Sequence, residues 1–131
     1  MIQADADLEA YLTRLERPFQ RLAQGTYVLG TGEGRPLVAL KLAPPVLVLR
    51  VEIGDAPKEA ARCLGLFRKL LELNASALLH AAYGLESERI VLSAALELSS
   101  ADLGELEAVL ADVDLALAEH VSVLHELSQV H

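Results

Sequence analysis

The stretch Pro57 to Asn74, PKEAARCLGLFRKLLELN, constrains this chain most, because as a helix it is apolar on two sides at once. Asp55 is placed to cap it, Pro57 suits its first turn, and Asn74 tolerates the left-handed conformation that ends helices. Ala60, Leu64, Phe67 and Leu71 form one stripe; Cys63, Leu66, Leu70 and Leu73 form a second beside it. Lys58, Arg62, Lys69 and Glu72 leave a narrow polar strip. Roughly half the circumference is therefore apolar, where a one-sided surface helix needs about a third. One stripe covers a sheet, and the other requires a second cover. Phe67 belongs to the bulkier stripe, so Ala60, Leu64, Phe67 and Leu71 are expected on the domain's own sheet. Cys63, Leu66, Leu70 and Leu73 are then the expected contact with a second copy, in a homodimer.

The remaining segments supply that sheet. Asp5 or Asp7 starts a first helix carrying Leu8, Leu12, Leu15, Phe19 and Leu22, with a kink or an end near Arg17 imposed by Pro18. Thr26 to Leu29 and Pro36 to Leu42 read as strands joined by a glycine-rich turn. Pro44-Pro45 stops the second strand, and Val46 to Ile53 follows as a third, with Leu47, Leu49, Val51 and Ile53 on one face. After the central helix, LLHAAYGL, a turn at Glu86-Ser87-Glu88, and Ile90 to Leu98 make a hairpin. Ser99 or Ser100 caps a last helix, whose N-terminal end Asp102 and Glu105 suit. The fold class is α+β: helix, three-stranded antiparallel meander, helix, β-hairpin, long C-terminal helix.

That last helix carries the most regular pattern. Leu103, Leu110, Leu117 and Leu124 recur every seven residues, as do Leu106, Val113, His120 and Leu127. Val109, Ala116 and Val123 broaden the stripe, which favours packing on the sheet over a free coiled coil. Glu105, Asp112, Glu119 and Glu126 share the same spacing and are expected to form an acidic ridge, either a solvated face or a docking surface for a basic protein.

Charge supports that view of the C-terminal third. Residues 1–89 hold all 11 Lys and Arg and balance them with acids; residues 90–131 have none, so the net charge of −8 lies there. Direct nucleic-acid binding by this part is disfavoured, because phosphates need cations; the basic partner could itself bind nucleic acid. With no Trp and 4% aromatics, base-stacking platforms are not expected either. At 131 residues the chain reads as one domain, 1–131. Its 53% hydrophobic content and mean hydropathy of +0.34 are high, yet no run nears the ~18 apolar residues of a membrane span. An acidic N-terminus unlike a signal peptide and a single cysteine point to the cytoplasm, with no membrane partner. Apolar excess without a span points to an oligomer.

No motif announces chemistry. Gly30-Thr31-Gly32-Glu33-Gly34 lacks phosphate-loop spacing, leads into a strand, and places Glu33 where phosphate would be repelled. His80, His120, His125 and His131 lack a ligand spacing, so neither a metal nor a cofactor is expected. His120, at a core position of the heptad, could make packing sensitive to pH. Cys63 has no Cys-x-x-Cys partner and reads as a small buried hydrophobe. Asn74-Ala75-Ser76 matches a glycosylation sequon only at a helix end, and no serine sits in a GxSxG setting.

The element order is similar to that of the type III secretion chaperone-like fold, which includes the Tir-chaperone family and the YbjN-like proteins. Locally, LFRKLLELNASALLHAAYGLESERIVLSAALEL (Leu66 to Leu98) with the following SSADLGELEAVLADVD resembles their helix–hairpin–helix core. The resemblance implies a small acidic homodimer with the central helix at or near its interface, and no catalytic signature. Pro18 departs from the family's first helix and favours the YbjN-like branch. Two functions are therefore carried forward. The first is a non-enzymatic, chaperone-like homodimer binding protein partners. The second is a small-molecule-binding regulatory protein or minor enzyme, with a pocket between sheet and helices around Cys63, His80 and Tyr83.

Overall fold

The computed structural model describes residues 1–32 and 34–128, so Glu33 and His131 of the readings above lie outside the described residues. In order, the elements are α1 (Asp5–Arg14), β1 (Phe19–Ala23), β2 (Thr26–Leu29), β3 (Val38–Ala43) and β4 (Val46–Asp55). They continue with α2 (Ala60–Ser76), β5 (Ala82–Glu86), β6 (Arg89–Glu97), α3 (Leu103–Glu119) and α4 (Val121–Ser128). The architecture is the expected α+β one, with the strands in one antiparallel sheet of order β1-β2-β3-β4-β6-β5.

Alternation along β4 sets the layers. Leu47, Leu49, Val51 and Ile53 are buried, while Arg50 is half-buried and Glu52 exposed on the opposite face. Tyr27, Leu29, Val38, Leu40, Ile90 and Leu92 extend the inner face, and one core joins it to Leu8 and Leu12 of α1, Leu66 and Leu70 of α2, and Leu124 of α4. Leu106, Val109, Leu110, Val113, Ala116 and Leu117 of α3 lie in the same core, as expected of a helix packed inside the domain.

α2 runs past the expected end at Asn74 to Ser76, capped by Ala77 in the right-handed region, and further boundaries differ from the sequence reading, each for a local reason. First, α1 ends at Arg14, with Glu16 in the left-handed region at φ 56°, and Phe19–Ala23 is a strand, so the meander has four strands. Pro18 removes a helical donor and biases Arg17 toward extended backbone, so the helical spacing of Phe19 and Leu22 is coincidental. Leu22 is 56% exposed on an edge strand whose register shifts beside it. Second, Asp55 is spent as the last residue of β4, where it pairs with Arg89 across the sheet, and α2 starts only at Ala60, with Glu59 at its cap making no side-chain capping bond. Third, Asp102 and neither serine caps α3, accepting from the Glu105 amide at 2.8 Å; the expected long helix breaks at His120 into α3 and α4. The second hairpin turns at Ser87 and Glu88, whose φ values of 47° and 65° match the twist of a two-residue turn.

Candidate interaction surface

The central helix has the two expected stripes, but the one that faces the core is the second. Leu66, Leu70 and Leu73 are buried in the domain's own core at 0%, 6% and 8% exposure, and Cys63 is half-buried, its thiol directed at Pro57 O at 2.9 Å. The expected dimer contact Cys63, Leu66, Leu70 and Leu73 is therefore corrected: three of the four are used internally. Leu64 and Leu71 stand 73% and 68% exposed, with Ala60 and Ala75 exposed and Phe67 half-buried along the same line.

Side-chain bulk did not decide which stripe went inward. Asn74 lies four and eight residues beyond Leu70 and Leu66, on their side of the helix. Its amide accepts from Tyr83 N at 2.7 Å and donates to Tyr83 O at 3.1 Å, completing the hydrogen bonding of β5 on its free edge. Asn74 can reach the edge only if its own side of α2 faces the sheet. It thus acts as a clamp for α2 and closes the edge to pairing with another chain.

On the outward side, Leu64, Phe67 and Leu71 with Arg68, Glu72 and Ala75 line a shallow apolar groove. Arg68 and Glu72 pair at 3.4 Å on its rim, too exposed to add much stability to the isolated domain. The stripe has the same residue types read from either end: Ala60, Leu64, Phe67, Leu71, Ala75. A two-fold axis near Phe67 would set Leu64 against Leu71 and Ala60 against Ala75. Leu79, just past α2, is 88% exposed beyond the end of the stripe.

A match of the CesT_Tir_1 family model to residues 1–130 now decides the relationship. The chain belongs to the CesT_Tir_1 family. No curated protein matches this CesT_Tir_1 member. Among solved structures, it is similar to a chain of the heterodimeric ExoU–SpcU complex from the type III secretion system of Pseudomonas aeruginosa, at 21% identity and TM-score 0.69, covering 93% of this chain and 98% of that one. It is also similar to YbjN of E. coli, described as a putative transcription regulator, at 14% identity and TM-score 0.67, covering 96% of both. The Yersinia pestis type III secretion chaperone SycH, solved with a fragment of YscM2, aligns at 18% identity and TM-score 0.57, covering 86% of this chain and 97% of that one. These likenesses establish the secretion-chaperone fold.

In this CesT_Tir_1 chain the expected acidic ridge is not continuous. Glu105, Glu119 and Glu126 are exposed, but Asp112 is buried at 8%. Its carboxylate accepts from the amides of Leu79, His80 and Ala81 at 3.2, 2.8 and 2.9 Å. The loop from α2 to β5 has these donors and no strand to receive them, and Asp112 is the acceptor that α3 brings there. Neighbouring Asp114 is occupied by a two-pronged pair with Arg17, at 2.9 and 3.2 Å, and Glu126 lies beyond the break on α4.

The groups proposed for a small-molecule pocket are also separated. Tyr83 is buried with its hydroxyl 3.0 Å from His120 Nδ1, His80 is exposed, and the groove beside Cys63 is lined by Lys58, Phe67, Leu85 and Arg89. Burial pushes the Tyr83 phenol up, with the Asp112 charge adding to it. Burial likewise pushes the His120 imidazole down; Glu119 and Asp112 oppose this and Lys69 reinforces it. No group of three His, Cys, Asp or Glu side chains placed to hold a metal ion occurs among the described residues, and no helix there is long and apolar enough to cross a membrane. Gly30, Thr31, Gly32 and Gly34 lie between β2 and β3, where Arg35 Nη1 donates to Thr31 O at 3.2 Å. Sequence reasoning missed the clamps Asn74 and Asp112; Asn74's helical offset from Leu70 was the available signal.

Proposed function

We propose that the protein is a single-domain, non-enzymatic, chaperone-like interaction module of the cytoplasm that binds protein partners as a homodimer joined across α2. The observation that carries this reading is the exposed pair Leu64 and Leu71 flanking half-buried Phe67, on a helix whose neighbouring stripe is already buried in the core. Its palindromic order suits an isologous interface, in which one patch must complement itself. Burying Leu64 and Leu71 would contribute about 1.5–3 kcal/mol each. Arg68 of one copy and Glu72 of the other flank such a seam with opposite charges. Protein binding is supported by the neighbours solved as complexes: ExoU with SpcU, and SycH with a YscM2 fragment. The small-molecule reading is left with the open groove beside Cys63, whose lining includes neither His80 nor Tyr83.

Light scattering at tens of micromolar tests the dimer. Wild type should have twice the monomer mass, and Leu64→Asp should be a folded monomer. A monomeric wild type would refute the dimer, and a dimeric Leu64→Asp would move the interface elsewhere, with the α3 heptads as the first alternative. Capture of a protein partner from the native cytoplasm, repeated with Leu64→Asp, tests whether partner binding requires the paired state.

A further inference from the structure

α4 is eight residues long and is separated from α3 by one residue, His120, at φ −103° and ψ −29°. Its Val121, Leu124 and Leu127 pack on the core, with Leu124 2% exposed, and α4 lies against α2, α3 and β4. Imidazoles hold it at two points. His120 Nδ1 is 3.0 Å from Tyr83 Oη, and His125 Nε2 is 3.0 Å from Ile53 O. The bonds answer differently to a proton. A protonated His125 still donates to the Ile53 carbonyl. In the Nε2–H tautomer His120 Nδ1 accepts from the Tyr83 hydroxyl, and protonation there turns that acceptor into a donor, so the buried hydroxyl must redirect its own hydrogen. It also places a cation in the core at the hinge. Lys69 of α2 opposes that charge and Glu119 and Asp112 of α3 favour it, while Asp112 is already engaged by the amides of residues 79–81.

We propose that α4 is a hinged cover over the inner stripe of α2, closed while the His120 imidazole is neutral and released in mild acid. Above the ordinary histidine value of about 6.5, open and closed forms are both neutral and closure is complete. As pH falls below that value, the open form takes up the proton and the closed form resists it. The closing constant then drops about tenfold per pH unit, until the depressed value of the closed form is reached. Release uncovers part of Leu66, Leu70 and Leu73 without requiring the sheet to open.

Amide-exchange protection of the full chain, followed by NMR from about pH 7.5 to about pH 5 and corrected for intrinsic rates, tests this. Protection over Val121 to Leu127 should fall about tenfold per unit below about pH 6.5, while β4 and β6 keep theirs. His120→Gln, which retains an acceptor for the Tyr83 hydroxyl and does not ionise, should make α4 protection independent of pH. Constant α4 protection in wild type, parallel loss from the sheet, or the same pH dependence in His120→Gln would each overturn the proposal. Should His120→Gln fail to fold, the wild-type imidazole decides alone. Its titration must lie below the ordinary histidine value and coincide with α4 release; an unshifted or raised titration overturns the hinge.

Discussion

Replacing Asp112 by Ala separates a structural clamp from a surface charge. On an exposed acidic ridge the change would cost a few tenths of a kcal/mol at most. In the structure, the carboxylate receives the amides of Leu79, His80 and Ala81 at 3.2, 2.8 and 2.9 Å. Leu79 and His80 are exposed, so water can replace the lost acceptor for them; Ala81 is buried at 7%, so its amide is stranded. One stranded buried donor costs about 1–3 kcal/mol, and the two bonds whose acceptor water can replace add about 0.5–1.5 kcal/mol each, giving a total of about 2–6 kcal/mol. Urea unfolding at one fixed protein concentration measures it, with exposed Glu107→Ala as the control, because association would otherwise shift the midpoint. Asp112→Ala should lower the midpoint strongly with an unchanged slope, and Asp112→Asn, which keeps one acceptor oxygen, should fall between. A loss under about 1 kcal/mol, or one equal to that of Glu107→Ala, would refute the clamp.

Three further outcomes follow from the same contacts. Leu66→Asp should unfold the domain, since it places a charge at a fully buried site, whereas Leu64→Asp should leave the circular dichroism spectrum and melting cooperativity intact. Asn74→Ala should cost about 1–3 kcal/mol by leaving the Tyr83 amide without its partner, and should promote association through the opened β5 edge, read by light scattering after mild heating. The Gly25 amide, followed by the Tyr27 hydroxyl and Arg21, holds the Asp5 carboxyl below its usual value against the pull of burial. Its stabilising effect is present above the ordinary carboxylate value and is lost as pH falls through the depressed one, so Asp5→Asn should flatten the acid end of an ellipticity titration of α1.

Much of the fold was written locally. Strict alternation in Val46 to Ile53 determined the central strand and its inner face, and the Ser87-Glu88 turn between apolar runs determined the second hairpin. The apolar breadth of Leu106 to Leu117 determined that α3 packs inside the domain. Residues within a few positions of one another control these features, so spacing and turn chemistry suffice. Pro18 was equally local, yet the helical spacing of Phe19 and Leu22 masked the strand it begins.

The orientation of α2 and the fate of the acidic heptad were not local. Both stripes of α2 are apolar enough to be buried, so their composition leaves the choice nearly balanced. The balance is tipped by Asn74 reaching Tyr83 on the sheet edge. Asp112 resembles Glu105 and Glu119 in charge and spacing, and only the arrival of three unpaired amides from a loop more than thirty residues earlier makes it a buried acceptor. A hydrogen-bond requirement created by one segment and met by another has no periodicity to read. The sequence by itself therefore determined which segments are helix and sheet and that α2 is two-faced. Tertiary structure decided which face remained exposed, because unpaired polar groups cannot be buried and only the assembled fold shows where they fall.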